Sequence, residues 1–179
     1  EAFAQAENEA RSANIRWGIE KGAKDGTSGF FRRRCYGYRN NTNGDLEIVP
    51  EEAEAVRLIF ESYLKGASLN MIQDELRQRG ISSPTGKDTW CKQSINMLLS
   101  NEKYSGEVLL MKSVNLGGIG SRRTRNEGQA DRFIAMSNHP PIIDKETFES
   151  VQKQKIKRSN VIQVEGGVKR KDVRYSAKK

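Results

Sequence analysis

The sequence is poor in the residues that hold metals and carry nucleophilic chemistry. Its 179 residues include two cysteines, Cys35 and Cys91, far apart and without a CxxC partner, and a single histidine, His139. A four-ligand zinc site is therefore not expected within this chain, and no other metal or cofactor is called for. Ser28 and Ser94 have no general base in the surrounding pattern, so no catalytic residue is expected either. No apolar run approaches the roughly 18 residues that span a bilayer, and no membrane partner is expected. Apolar residues are only 35% of the chain against 30% charged, which predicts a modest core with solvated extensions. Two isolated thiols in such a chain fit a reduced, cytoplasmic setting. The chain opens on Glu1 inside a helical pattern and reads as a segment of a longer protein.

What is present in quantity is positive charge, and it is unevenly placed. The net charge is +8. Residues 1–100 balance at 14 basic and 14 acidic, whereas 101–179 carry 17 basic and 9 acidic. A basic surface of this kind fits nucleic acid, with anionic membrane as the weaker alternative.

Local signals place the elements. Residues 1–22 read as one helix, with Phe3, Ala6, Ala10, Ala13 and Trp17 as a narrow apolar stripe that needs a partner. Residues 23–35 are a glycine-broken basic linker ending in Arg32, Arg33 and Arg34. The turn Asn41–Gly44 between two short β-prone runs predicts a hairpin. Pro50, Glu51 and Glu52 open a helix whose Ala53, Val56, Ile59, Phe60 and Tyr63 form a buried stripe, and Gly66 ends it. Ser68 caps a second helix that buries Leu69, Ile72 and Leu76 and stops at Gly80.

A third helix is expected over Trp90–Ser100, with Cys91, Ile95, Leu98 and Leu99 inward and Lys92, Gln93 and Asn96 outward. A strand over 106–112 should pair with 132–136 across a long glycine-rich loop that holds Arg122, Arg123 and Arg125. His139 precedes two prolines and reads as a turn residue. Asp144 caps a last helix using Ile143, Phe148, Val151 and Ile156, and the chain from Ser159 onward reads as a mobile basic tail.

The fold class expected is therefore α+β and mostly helical, with small β-hairpins and a long helix in front. Two short helices followed by a hairpin with a basic tip outline a winged helix-turn-helix, whose second helix enters the major groove of DNA. Lys92, Gln93 and Asn96 are residue types that pair with guanine and adenine edges. The link between the two helices is longer than the three or four residues of a simple helix-turn-helix, so the geometry should differ from the simple unit.

At this point an ordered series of motifs resembles the large serine recombinases, the integrases and transposon recombinases of phages and mobile elements. The series is SANIRWGIEKG, YGYR, EEAEAVRLIFESYLKG, SSPTGK before a tryptophan, SNEKYSGEVLLMK and NHPPIID, spread over about residues 9–152. The resemblance implies that residues 1–22 are the end of a connecting helix and that 23–158 form a DNA-binding recombinase domain. It also implies that 159–179 lead toward a zinc ribbon outside this chain. The serine nucleophile would lie in a catalytic domain also outside it, so the segment itself is expected not to be an enzyme.

The partner implied is the double-stranded attachment site, bound by a full-length protein that assembles as a dimer or tetramer. The arginine triplet would follow phosphates or enter the minor groove. Arg16, Arg39, Lys87 and Lys112 complete the basic set expected at DNA, with Arg122, Arg123 and Arg125 in the loop. The alternatives are a freestanding winged-helix regulator and an RNA-binding protein, the latter disfavoured because the aromatic residues follow core spacing.

Overall fold

The computed structural model describes residues 2–114, 122, 124–129, 131–135, 139–164 and 167–171. The long helix α1 spans Ala2–Lys24. It is followed by the hairpin β1 (Tyr38–Asn40) and β2 (Leu46–Ile48), paired antiparallel with Arg39 opposite Glu47. Helices α2 (Pro50–Leu64), α3 (Leu69–Gln78) and α4 (Lys92–Leu98) come next, then a 3-10 turn at Glu102–Ser105.

β3 (Val108–Leu110) pairs with β6 (Phe133–Ala135), and β4 (Ser113–Val114) with β5 (Thr124–Arg125), so one pair continues the other as a β-arm. Helix α5 (Lys145–Arg158) and the hairpin β7 (Val161–Val164) with β8 (Gly167–Arg170) complete the described chain. Mixed helix with small antiparallel two-stranded sheets is thus the observed class.

The main core lies among α2, α3, α4, α5 and the first hairpin. Val56, Ile59, Phe60, Ile72, Leu76, Trp90, Ile95, Leu99 and Val151 are all buried there. Pro50 occupies the first turn of α2, where no N–H is needed, and Ser68 accepts from the Met71 amide to cap α3. A second, smaller cluster joins Ala23 of α1, Phe31, Val108 and Leu110. Through it the end of α1 and the base of the β-arm are joined.

Gly37 shows why YGYR needs its glycine. Its φ is +91°, and a Cβ there would lie 2.8 Å from the Ile142 side chain. The segment after His139 docks closely because of it. Ile142 and Ile143 donate their amides to the Tyr104 carbonyl, and Tyr38 donates its hydroxyl to the Pro140 carbonyl at 2.9 Å.

Several expectations need correction. Cys91 is exposed and does not share the buried face of α4; it precedes the helix, and its sulfur accepts from the Ser94 amide as the cap. The helix is accordingly shorter than Trp90–Ser100, because Trp90 is committed to the loop, donating Nε1–H to the Ile81 carbonyl at 3.0 Å. Ile156 is 71% exposed, since α5 turns only its Phe148–Val151 side to the core. His139 lies at a bend before the two prolines, as expected, but its ring is buried, edge-on to the Tyr38 ring at 4.9 Å. The chain after Ser159 is not a structureless tail throughout, because the β7–β8 ladder pairs Val161 with Arg170 and Val164 with Gly167. Ile162 and Val164, alternating with Gln163 and Glu165, are the strand signal in this sequence.

Candidate nucleic-acid interface

The exposed face of α4 carries Lys92, Gln93, Asn96 and Met97, while Ile95, Leu98 and Leu99 are buried behind it. A helix of seven residues has little stability of its own, so tertiary contacts must hold it. They do so at both ends. Gln73 of α3 donates to the Trp90 carbonyl at 2.7 Å, and Gln152 of α5 donates to the Leu99 carbonyl at 2.7 Å. Lys155 of α5 donates to the Asn96 carbonyl at 3.0 Å, placing a cation at the negative end of the helix. Burial pushes the Lys155 ammonium below its ordinary pKa. Asn96 and Met97 open onto a groove of about 520 Å³ that also takes in Tyr36, Asn101 and Lys112.

The arginine triplet is exposed, yet its backbone is not a free linker. Phe31 is buried in the smaller cluster. Asn40 donates Nδ2–H to the Arg32 carbonyl at 2.9 Å. The Lys103 ammonium donates to the carbonyls of Phe30 at 3.3 Å and Phe31 at 3.4 Å, and also to that of Arg33. Arg32 lies 3.7 Å from Asp45, with both side chains mostly exposed, an ion pair that DNA phosphate could displace at little cost.

The β-arm carries Arg122 and Arg125, both exposed, with Arg125 opposite Ser113 in the ladder. Arg123 lies outside the described residues. Between the two halves of the arm the chain kinks at Met111, whose φ is +59°. Buried Asn126 spans the kink, donating Nδ2–H to the Met111 carbonyl at 2.8 Å while its amide donates to the Lys112 carbonyl. Asn126 thus sets the direction of the arm.

The remaining expected residues divide into two groups. Arg39 is bound to Glu47 across the first hairpin, and Lys112 donates to Glu102 at 2.7 Å, so both already have carboxylate partners. Arg33, Arg34, Lys87, Lys92, Arg122 and Arg125 are exposed without an ion pair to a described residue. Arg16 lies on α1. The structure brings α4, Tyr36 and Lys112 around one groove. The arginine triplet does not line it: Arg33 borders a separate recess beside α1, with Gly18, Gly22 and Phe30. Sequence reasoning missed Lys103, Asn126, Gln73, Gln152 and Lys155, the residues that fix the display. Among the described residues no group of His, Cys, Asp and Glu is placed to hold a metal, and no helix is long and apolar enough to cross a membrane.

Comparison with known proteins places this arrangement. The family model described as Recombinase matches residues 50–158, which is more than half of the chain. The chain belongs to the recombinase family. A Bacillus subtilis (strain 168) protein named as a DNA recombinase is 30% identical over 100 residues, covering 52% of this chain and 20% of that protein. A solved structure concerned with sequence requirements of the Listeria innocua prophage attP site matches with a TM-score of 0.51 at 23% identity. It covers 71% of this chain and 44% of that one. A crystal structure of an LSR–DNA complex matches with a TM-score of 0.54 at 21% identity, covering 83% and 39%. At these identities the two structures establish a shared fold. The chain spans about a fifth of the length of the Bacillus relative and less than half of either solved chain.

Proposed function

We propose that this chain is the DNA-binding portion of a site-specific serine recombinase and engages one half of a double-stranded attachment site. The observation that carries the reading is the face of α4. Lys92, Gln93 and Asn96 project from a helix whose back is buried and whose two ends are fixed by α3 and α5. Base reading requires such fixed donors and acceptors.

In this reading α3 and α4 act as a helix-turn-helix variant with the long joining loop 79–91, and the β-arm acts as its wing. The basic set, Arg16, the 32–34 triplet, Arg39, Lys87, Lys112 and the arm arginines, supplies phosphate and minor-groove contacts. Residues 1–22 serve as the end of a connecting helix, 23–158 as the DNA-binding domain, and 159–179 as the lead toward a zinc ribbon. The parent protein works in the cytoplasm as a dimer or tetramer, with its nucleophilic serine outside this chain.

The test is a titration of the chain on an attachment half-site and on random duplex, at several salt concentrations. Tighter binding to the half-site, a steep salt dependence and no nicking of supercoiled plasmid are expected. Equal affinity for both duplexes, or none at low salt, would overturn the reading.

A further inference from the structure

We propose that Lys103 is a positioning residue for the arginine segment: its ammonium, held by the carbonyls of Phe30, Phe31 and Arg33, fixes Arg32–Arg34 relative to the turn that follows α4 before DNA arrives. The inference rests on the DNA-binding reading for its purpose, but its geometry is independent of it.

An ammonium has three donors, and here the three acceptors are main-chain oxygens of one short segment at least 70 positions earlier in the chain. Lys103 is only 9% exposed. Its neighbour Glu102 does not serve it as an ion pair, because that carboxylate accepts from Lys112 and from the Leu109 amide. A buried cation whose hydrogen bonds all go to carbonyls, with no ion pair, is costly, and an apolar side chain would serve core stability better. Burial accordingly holds the Lys103 ammonium below the ordinary lysine pKa.

The lysine's own backbone is held as well. Its carbonyl accepts from His139 Nε2 at 2.6 Å, and its amide donates to Asn101 Oδ1. The anchor is therefore rigid, and it connects the arginine segment to the turn that follows α4.

The arrangement turns the segment's carbonyls inward and leaves its three side chains exposed. A segment fixed this way does not lose backbone freedom when it meets phosphate, which raises affinity without any new interaction. It also gives the triplet a set distance from the α4 face, so two binding regions engage in one register.

Two measurements on the 179-residue chain test this. The first is hydrogen exchange of the Phe31 and Arg33 amides without DNA, both of which donate within the segment to Ser28 and Phe30. Lys103→Met should speed their exchange while α2 amides keep their protection, and Lys103→Arg, which keeps the cation, should restore it in part. Lys103→Gln keeps two donors and should fall between, which covers the case in which the methionine variant folds poorly.

The second is a double-mutant cycle on half-site duplex. Lys103→Met should weaken binding roughly tenfold in the wild-type background and change it little once Arg32, Arg33 and Arg34 are alanine. Unchanged exchange, or an equal loss in both backgrounds, overturns the proposal. If wild type binds no duplex, the DNA reading falls, while the exchange measurement still decides whether Lys103 positions the segment.

Discussion

α4 stands on the larger buried cluster, where Trp90, Ile95 and Leu99 meet residues of α2, α3 and α5. The β-arm stands on Ala23, Phe31, Val108 and Leu110, with Met111, Phe133 and Ala135 packed around them. Both carry exposed groups suited to DNA, but on foundations of different size. A base-reading element needs its donors held to a fraction of an ångström, whereas a phosphate interaction tolerates movement. On the proposed reading, the difference suits α4 to base reading and the arm to phosphate contact.

The largest effect that would break this comparison is loss of the α4 foundation. Trp90→Ala removes a side chain that is 1% exposed, its indole bond to Ile81 and its edge-on packing with Tyr36 at 5.1 Å. A destabilisation of about 3–5 kcal/mol is expected by denaturant unfolding. Wild-type stability in this variant would mean that α4 is held by something other than the core.

On DNA the two regions should separate. Gln93→Ala or Asn96→Ala should cost about 1–3 kcal/mol on the cognate half-site and much less on random duplex. Replacing Arg122, Arg123 and Arg125 together should weaken both duplexes alike, and lower the salt slope by up to about 0.9 for each phosphate no longer neutralised. Equal losses on both duplexes for the α4 variants would move the reading head to the arginine segment or the first hairpin.

A smaller effect tests the arm's foundation alone. Val108 is 2% exposed, and Val108→Ala should cost about 1–2 kcal/mol from the two methyl groups removed and the cavity left behind. Hydrogen exchange should rise in β3 and β6 while α2 and α3 stay protected. A uniform rise across the chain would show one cooperative unit instead of two.

Much of this division was legible in the sequence, because most elements carry local signals. Asn41–Gly44, Pro50, Ser68, Gly80 and Asp144 mark turns and caps, and the structure places hairpin, helices and cap there. The β3–β6 pairing was legible from two apolar runs across a glycine-rich loop. Ile156 misled because helical spacing identifies a stripe but not where its partner ends. Lys103 was hidden for a stronger reason. Its partners are carbonyls, which no residue code reports, and they lie in a segment that reads as a plain basic linker. In the candidate site, the residues that display were visible, and those that hold them in place were not.

The smallest expected effect lies at the joint between the two regions, at His139. The ring is 6% exposed, and its Nε2 faces the Lys103 carbonyl at 2.6 Å. A carbonyl only accepts, so Nε2 carries the proton in the neutral ring. Burial holds the imidazole below its ordinary pKa; the bond to the Lys103 carbonyl opposes that, and the Lys103 ammonium adds to it. The phenol of Tyr38, which also packs on the ring, is pushed up by burial and stays neutral. An unfolded chain takes up its histidine proton near pH 6.5, whereas the folded chain does so only at lower pH. Between those two values the unfolded state binds more protons, so stability falls as pH drops from about 7 and levels off below the folded pKa. His139→Gln keeps a donor for the Lys103 carbonyl and removes the titration. Urea midpoints measured from about pH 7.5 to 5.5 should fall for the wild type and change less for the variant. Parallel slopes in the two proteins would show that the joint is not titrated by this histidine.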